Sequence, residues 1–266
     1  MPFLNAVKYP TYLVLLSCIC INSNTHADAL RVAVASNFRQ AGAEIFQAFE
    51  AKEKIEVKAS YGSSGKFVTL ISQGAPFDLF LAADSASISI LASQALIEPD
   101  SRQIYAQGQL AWWQPGSQSM VDNNLYFQAL SDANIPIVAL ANPSTAPYGQ
   151  AALQALSELQ RRGMSVQKTL TAQSVSQAFQ FVSSGNADAG FVALSQLKAR
   201  QIPPQQWHLV PSEWYSPLIQ EAVILRGHSP ASQRLLHFLQ SDQAAKAMLD
   251  LGYRLPHKQN AVSFHD

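Results

Sequence analysis

The chain is poor in cysteine, in charge and in long apolar runs, and each shortage removes a class of function. Two cysteines occur in 266 residues, Cys18 and Cys20, both near the start. Everything beyond them lacks thiol chemistry and cannot form a disulfide, even in an oxidising compartment. Charged residues make up 14%, with 18 basic side chains against 18 acidic ones. A formal net charge of zero argues against a nucleic-acid binder held by phosphate contacts. No internal apolar run reaches the ~18 residues of a membrane-spanning helix. The six histidines show no HxxxH or HxH spacing, which argues against a histidine metal site, and no G-x-S-x-G elbow marks a serine hydrolase.

What is present begins with a leader. Residues 1–27 hold one charge, Lys8, followed by the apolar run Tyr12 to Ile21 and the small-residue exit around Ala27 and Ala29. A basic start, an apolar middle and a small-residue exit describe a secretory signal peptide, cut after Ala27 or Ala29. Leu15-Leu16-Ser17-Cys18 loosely resembles a lipoprotein cleavage box, so lipid anchoring at Cys18 is a minor alternative.

From Leu30 onward strands alternate with helices. Leu30–Ala35, Ile55–Ser60 and Asp78–Ala83 read as buried strands, and Phe38, Ala41, Ile45 and Phe49 recur at helical spacing between the first two. Such alternation builds right-handed βαβ units on a parallel sheet. A second series comprises strands at Leu110–Gln114, Ile135–Ala141, Val166–Leu170 and Ala187–Ala193, with helices near Tyr148–Arg161 and Val175–Ser183. A last strand, Glu221–Arg226, precedes helices at Pro230–Gln240 and Gln243–Leu251, and residues 257–266 form a polar tail. Trp112 and Trp113 read as lobe core or hinge strand, while Trp207 and Trp214 lie near the chain's return. Two α/β series imply two lobes with a ligand cleft between them.

Four helix starts carry the candidate chemistry: Ala35-Ser36-Asn37-Phe38, Tyr61-Gly62-Ser63-Ser64-Gly65-Lys66, Asn142 to Gly149, and Gln173-Ser174-Val175-Ser176. Each exposes unpaired backbone N–H groups and a positive dipole end, with hydroxyls alongside. Taken singly, each is an ordinary cap. Converging on one cleft, they would hold an anion without a formal cation. Phe67 stands where a nucleotide loop needs Ser or Thr, which argues against such a loop. Asp78 and Asp84 flank a strand and read either as a carboxylate pair or as capping and solvated residues.

In order along the chain, VAVASNF (Val32–Phe38), YGSSGKF (Tyr61–Phe67), QGAPFDLFLAAD (Gln73–Asp84), NPSTAPYGQAA (Asn142–Ala152), the run Ala189–Gln196 and EAVILRG (Glu221–Gly227) resemble the periplasmic molybdate-binding proteins of ABC importers, within the type II solute-binding superfamily. The resemblance spans about Leu30 to Pro256. It implies an α/β fold of two lobes, with mixed sheets flanked by helices and the cleft between them. Residues 30–107 with 222–256 would form the first lobe and 108–221 the second, linked by two crossings.

The same resemblance implies oxyanion binding by Ser36, Asn37, Ser64, Tyr148 and Val175, the last two through backbone N–H groups. Molybdate or tungstate would be held through its oxygens, with no direct metal ligand, no cofactor and no catalytic residue. Alignment puts Ala193 where some members supply a tyrosine hydroxyl. A periplasmic monomer that serves inner-membrane permease subunits is expected. The nearest rival is the same fold tuned to sulfate, thiosulfate or another tetrahedral oxyanion; a secreted enzyme and a tethered sensor are rivals of other classes.

Overall fold

The computed structural model describes residues 29–117, 123–130, 133–227 and 229–256. The leader with Lys8, Cys18 and Cys20, the tail 257–266, and His26, His228, His257 and His265 therefore lie outside the described residues. Among those described, no helix is long and apolar enough to cross a membrane.

Two five-stranded sheets form, each with its own apolar core. In the first, β1 (Leu30–Ala35) lies between β2 (Val57–Gly62) and β3 (Leu79–Ala82), parallel to both. Helices α1 (Arg39–Glu53), α2 (Ser64–Ser72) and α3 (Ser85–Ser93) follow β1, β2 and β3 in turn. The edge strand β4 (Gln103–Gly108) is separated from β3 by a strand from much later in the chain. In α1, Ala41, Ile45, Phe46 and Phe49 are buried along one face. The helix stops at Lys54, which adopts a left-handed conformation (φ 58°) and donates from Nζ to the Ala51 carbonyl.

After Gly108 the chain enters the second sheet through β5 (Leu110–Trp113). Then come α4 (Asn123–Ala129), β6 (Asn134–Ala141), α5 (Pro147–Arg161), β7 (Ser165–Ala172), α6 (Val175–Ser183), β8 (Ala189–Ala193), α7 (Leu194–Ala199) and β9 (Trp207–Leu209). The return strand β10 (Leu218–Ile224) lies antiparallel between β3 and β4, and α8 (Ala231–Phe238) and α9 (Asp242–Asp250) close the first lobe. Strand orders β2-β1-β3-β10-β4 and β7-β6-β8-β5-β9 are the same pattern built twice. In each, three parallel strands are continued by two antiparallel pairings.

Several expected boundaries move. β2 begins at Val57 because it pairs with β1 from Leu30↔Val57 to Ala35↔Gly62, which carries Gly62 to the end of the sheet. β10 begins at Leu218, which pairs with Gly108, so residues 218–221 belong to the first sheet and the return precedes Ala222. Polar Gln220 hides the start of that strand from an apolar-run reading, which begins it at Glu221; Gln220 and Glu221 flank the register shift in its pairing with β4. Both are buried, with Glu221 held by Arg102 at 2.6 and 3.0 Å. β4, β9, α3, α4 and α7 carry no strong periodic signal and are found only in the structure.

Candidate functional site

The four helix starts meet at the junction between the lobes. The chain leaves β1 into a 3-10 turn, Ser36–Phe38, before α1 begins. Ser36 caps nothing with its side chain, contrary to the N-cap role its sequence position suggests. It is buried, as is Ser64, the first residue of α2. Ser64 Oγ accepts the Ala83 N–H at 2.9 Å. That bond occupies a lone pair and leaves the hydroxyl hydrogen free to donate elsewhere.

The second lobe offers backbone N–H groups. Pro147 opens α5 and has no N–H, so Tyr148 supplies the first amide hydrogen of that helix. The next two, on Gly149 and Gln150, are taken by the Ala146 carbonyl at 2.8 and 3.0 Å. In α6 the Ser174 side chain caps the Gln177 N–H at 3.3 Å, which leaves Val175 at the first helical position with no acceptor in its own helix.

Ser36, Asn37, Ser64, Tyr148 and Val175 all line one cavity. Its volume is about 10 Å³, against roughly 300–1,000 Å³ for sites of drug-sized ligands. That is room for about one water molecule, a small polar gap between the lobes rather than a pocket for a large ligand. Ser63, Gly62, Ala35, Ala83, Ala146 and Pro147 complete the wall, and none of the lining residues carries a formal charge. Ser63 was missed from the sequence although it adjoins Ser64; two adjacent serines at a helix start give no indication of which one faces inward. Ala193 is fully buried, does not line this cavity, and donates its N–H to Gln196 Oε1 at 3.0 Å.

The Asn37 side chain does different work from a free donor. Its Nδ2 donates to Gln220 Oε1 at 3.1 Å and to Tyr253 OH at 3.2 Å. The Asn37 backbone carbonyl accepts from Tyr253 OH at 2.7 Å and from Ser195 Oγ at 2.9 Å. Tyr105 OH joins through Gln220 Oε1 at 2.9 Å. Asn37 is therefore the hub of a buried polar network whose other members the sequence reading did not identify. Burial raises the phenol pKa of Tyr105, Tyr148 and Tyr253, so all three are neutral hydrogen-bonding groups.

The lobes are closed on the cavity. Gly65 N–H donates to the Thr145 carbonyl at 2.9 Å, Ser176 Oγ to the Ser36 carbonyl at 3.1 Å, and Ser195 Oγ to Asn37 as above. Asp84 N-caps α3 through the Ser87 N–H at 3.1 Å, and Asp78 holds Arg31, so neither is part of a carboxylate pair for catalysis. Among the described residues no group of three His, Cys, Asp or Glu could hold a metal.

Two α/β lobes shut on a small, neutral cavity of hydrogen-bond donors define a protein that clamps a small solute between its lobes. The chain belongs to the bacterial extracellular solute-binding protein family, whose model matches residues 30–254. It is 38% identical to the molybdate-binding protein ModA of Azotobacter vinelandii over 237 residues, covering 86% of this chain and 91% of that protein. The ModA protein of Rhodobacter capsulatus is 34% identical over 83% of this chain and 86% of its own length. The solved periplasmic molybdate-binding protein of Azotobacter vinelandii superposes with a TM-score of 0.75 at 32% identity, over 85% of this chain and 99% of that one.

Proposed function

We propose that this chain is a periplasmic receptor that captures molybdate, and tungstate with it, and delivers the anion to the permease subunits of an ABC importer. It acts as a monomer and performs no chemistry on its ligand. The convergence of Ser36, Asn37, Ser64, Tyr148 and Val175 on one uncharged cavity carries this reading. The likeness to ModA proteins along most of the chain supports it. Ser36 and Ser64 donate from hydroxyls and Tyr148 and Val175 from backbone N–H groups. Asn37 lines the wall while its side chain ties the first lobe together.

A fully ionised dianion offers only acceptors, so neutral donors can satisfy it, each bond strengthened by the ligand's charge. Phosphate is partly protonated near neutral pH, and its hydroxyl would face donors, leaving a buried group unpaired at a cost of about 1–3 kcal/mol. Sulfate has the right charge but shorter bonds, so rejecting it depends on the cavity's size: donors fixed on helix ends at molybdate's radius would stand too far from its oxygens. Binding drives closure because only the closed state brings both lobes' donors to one ligand.

Calorimetric titration of ligand-stripped protein beginning at Asp28 tests the reading. One-to-one binding of molybdate and tungstate, with sulfate and phosphate at least about a hundredfold weaker, is expected. Sulfate binding as tightly as molybdate would overturn the assignment of ligand, with the absent hydroxyl at Ala193 the first place to look.

A further inference from the structure

The groove beside the cavity carries the charge that the cavity lacks. Arg39 opens α1 directly after the Ser36–Phe38 turn, and Arg200 ends α7 in the second lobe. Together with Gln40, Gln180 and Ser176 they line a groove of about 380 Å³ between the lobes. Ser36 and Asn37 belong to the walls of both this groove and the inner cavity. No carboxylate lines the groove. Neither arginine is ion-paired among the described residues. Each lies over an aromatic ring instead, Arg39 at 4.0 Å from the Tyr61 centroid and Arg200 at 4.9 Å from that of Phe179. These contacts hold two cations in place, one on each wall, in a chain whose basic and acidic side chains are equal in number overall.

We propose that Arg39 and Arg200 form an outer anion-capture site, which draws a small oxyanion dianion into the cleft before the neutral donors take hold of it. The inference rests on the oxyanion reading above and adds a step to it. The inner donors are dipoles, whose pull fades within a helical turn. A formal charge acts over a Debye length, about 8 Å at physiological ionic strength. A cleft lined by one sign of charge raises the association rate by roughly 10- to 1,000-fold. Like charges on facing walls also favour separated lobes while the cleft is empty, and a dianion between them removes that repulsion. Because the outer site reads charge alone, molybdate and sulfate are steered alike, and selection is left to the inner cavity.

Stopped-flow tryptophan fluorescence with sodium molybdate, at low and physiological salt, tests this on the unmodified protein, R39Q, R200Q, the double variant and K168Q. Both arginines are exposed, so the variants are expected to fold; R200E checks the sign of the effect. The association rate should fall about tenfold in the double variant at low salt, with a flatter salt dependence and a dissociation rate changed less than about twofold. R200E should fall further than R200Q, and K168Q should not change. An association rate unaltered in the double variant, or a loss confined to dissociation, overturns the outer site while leaving the receptor reading intact. An unmodified protein that binds no molybdate at all overturns both.

Discussion

The two halves of the cavity supply the same chemistry by different means. In the proposed reading the first lobe would donate from the side chains of Ser36 and Ser64, the second from the backbone of Tyr148 and Val175 at the heads of α5 and α6. A side-chain donor can be deleted one atom at a time. A backbone donor survives every substitution other than proline that leaves its helix in place. Point mutations should therefore damage the two halves unequally.

The largest effect should come from moving a helix head. A Cβ on Gly149 would run into the backbone of Ala141 and Asn142, so Gly149→Ala displaces the start of α5. Molybdate binding should weaken by more than about a hundredfold in calorimetry, with a lower melting temperature as well. Gly65→Ala separates donors from closure. Its Cβ would stand 2.8 Å from the Thr145 carbonyl oxygen across the lobe junction, so the variant keeps every donor but resists shutting. Affinity should fall roughly tenfold or more, while the melting temperature of the ligand-free protein stays put.

The direct contrast comes next. Ser64→Ala removes a hydroxyl donor and strands the Ala83 N–H, at a cost of about 1–3 kcal/mol, or roughly ten- to a hundredfold in affinity. Val175→Ala keeps its N–H and should bind within about twofold of the unmodified protein. Equal losses in the two variants would break the distinction between the halves.

The smallest effect concerns pH. Tyr148 is the one side chain with a titratable group in the cavity wall, and burial holds its pKa well above the ordinary 10.0. Binding should therefore be flat between about pH 6 and 9. Raised pKa values at Tyr105, Tyr148 and Tyr253 stabilise the fold fully below their unfolded-state value near 10. That stability is lost as pH climbs towards the folded-state values, and thermal melts recorded at increasing pH above 10 should show it.

Local signals made the helix starts and the two α/β series legible before any coordinates. Strand β1 is a short apolar run followed by Ser36, Pro147 suits a first helical turn, and Ser174 is a capping residue ahead of a periodic helix. Joining those starts into one anion site depended on a family resemblance, because spacing does not encode convergence. The network around Asn37 was not legible for the same reason. Gln220, Tyr253 and Ser195 lie 183, 216 and 158 residues away in sequence and meet Asn37 only after both crossings are made. Polar Gln220 gives no strand signal, and only the structure shows Asn37 and Tyr105 donating to its buried Oε1. Arg39 and Arg200 were likewise invisible as a pair, since each alone is an ordinary surface cation.

The most direct measurement is a crystal structure of the protein grown with tungstate, the metal located by its anomalous scattering. One anion enclosed between the lobes, its oxygens at hydrogen-bond distance from the Ser36 and Ser64 hydroxyls and the Tyr148 and Val175 N–H groups, is the predicted result. Tungstate confined to the groove of Arg39 and Arg200, with the inner cavity empty and the lobes still shut, would contradict the account.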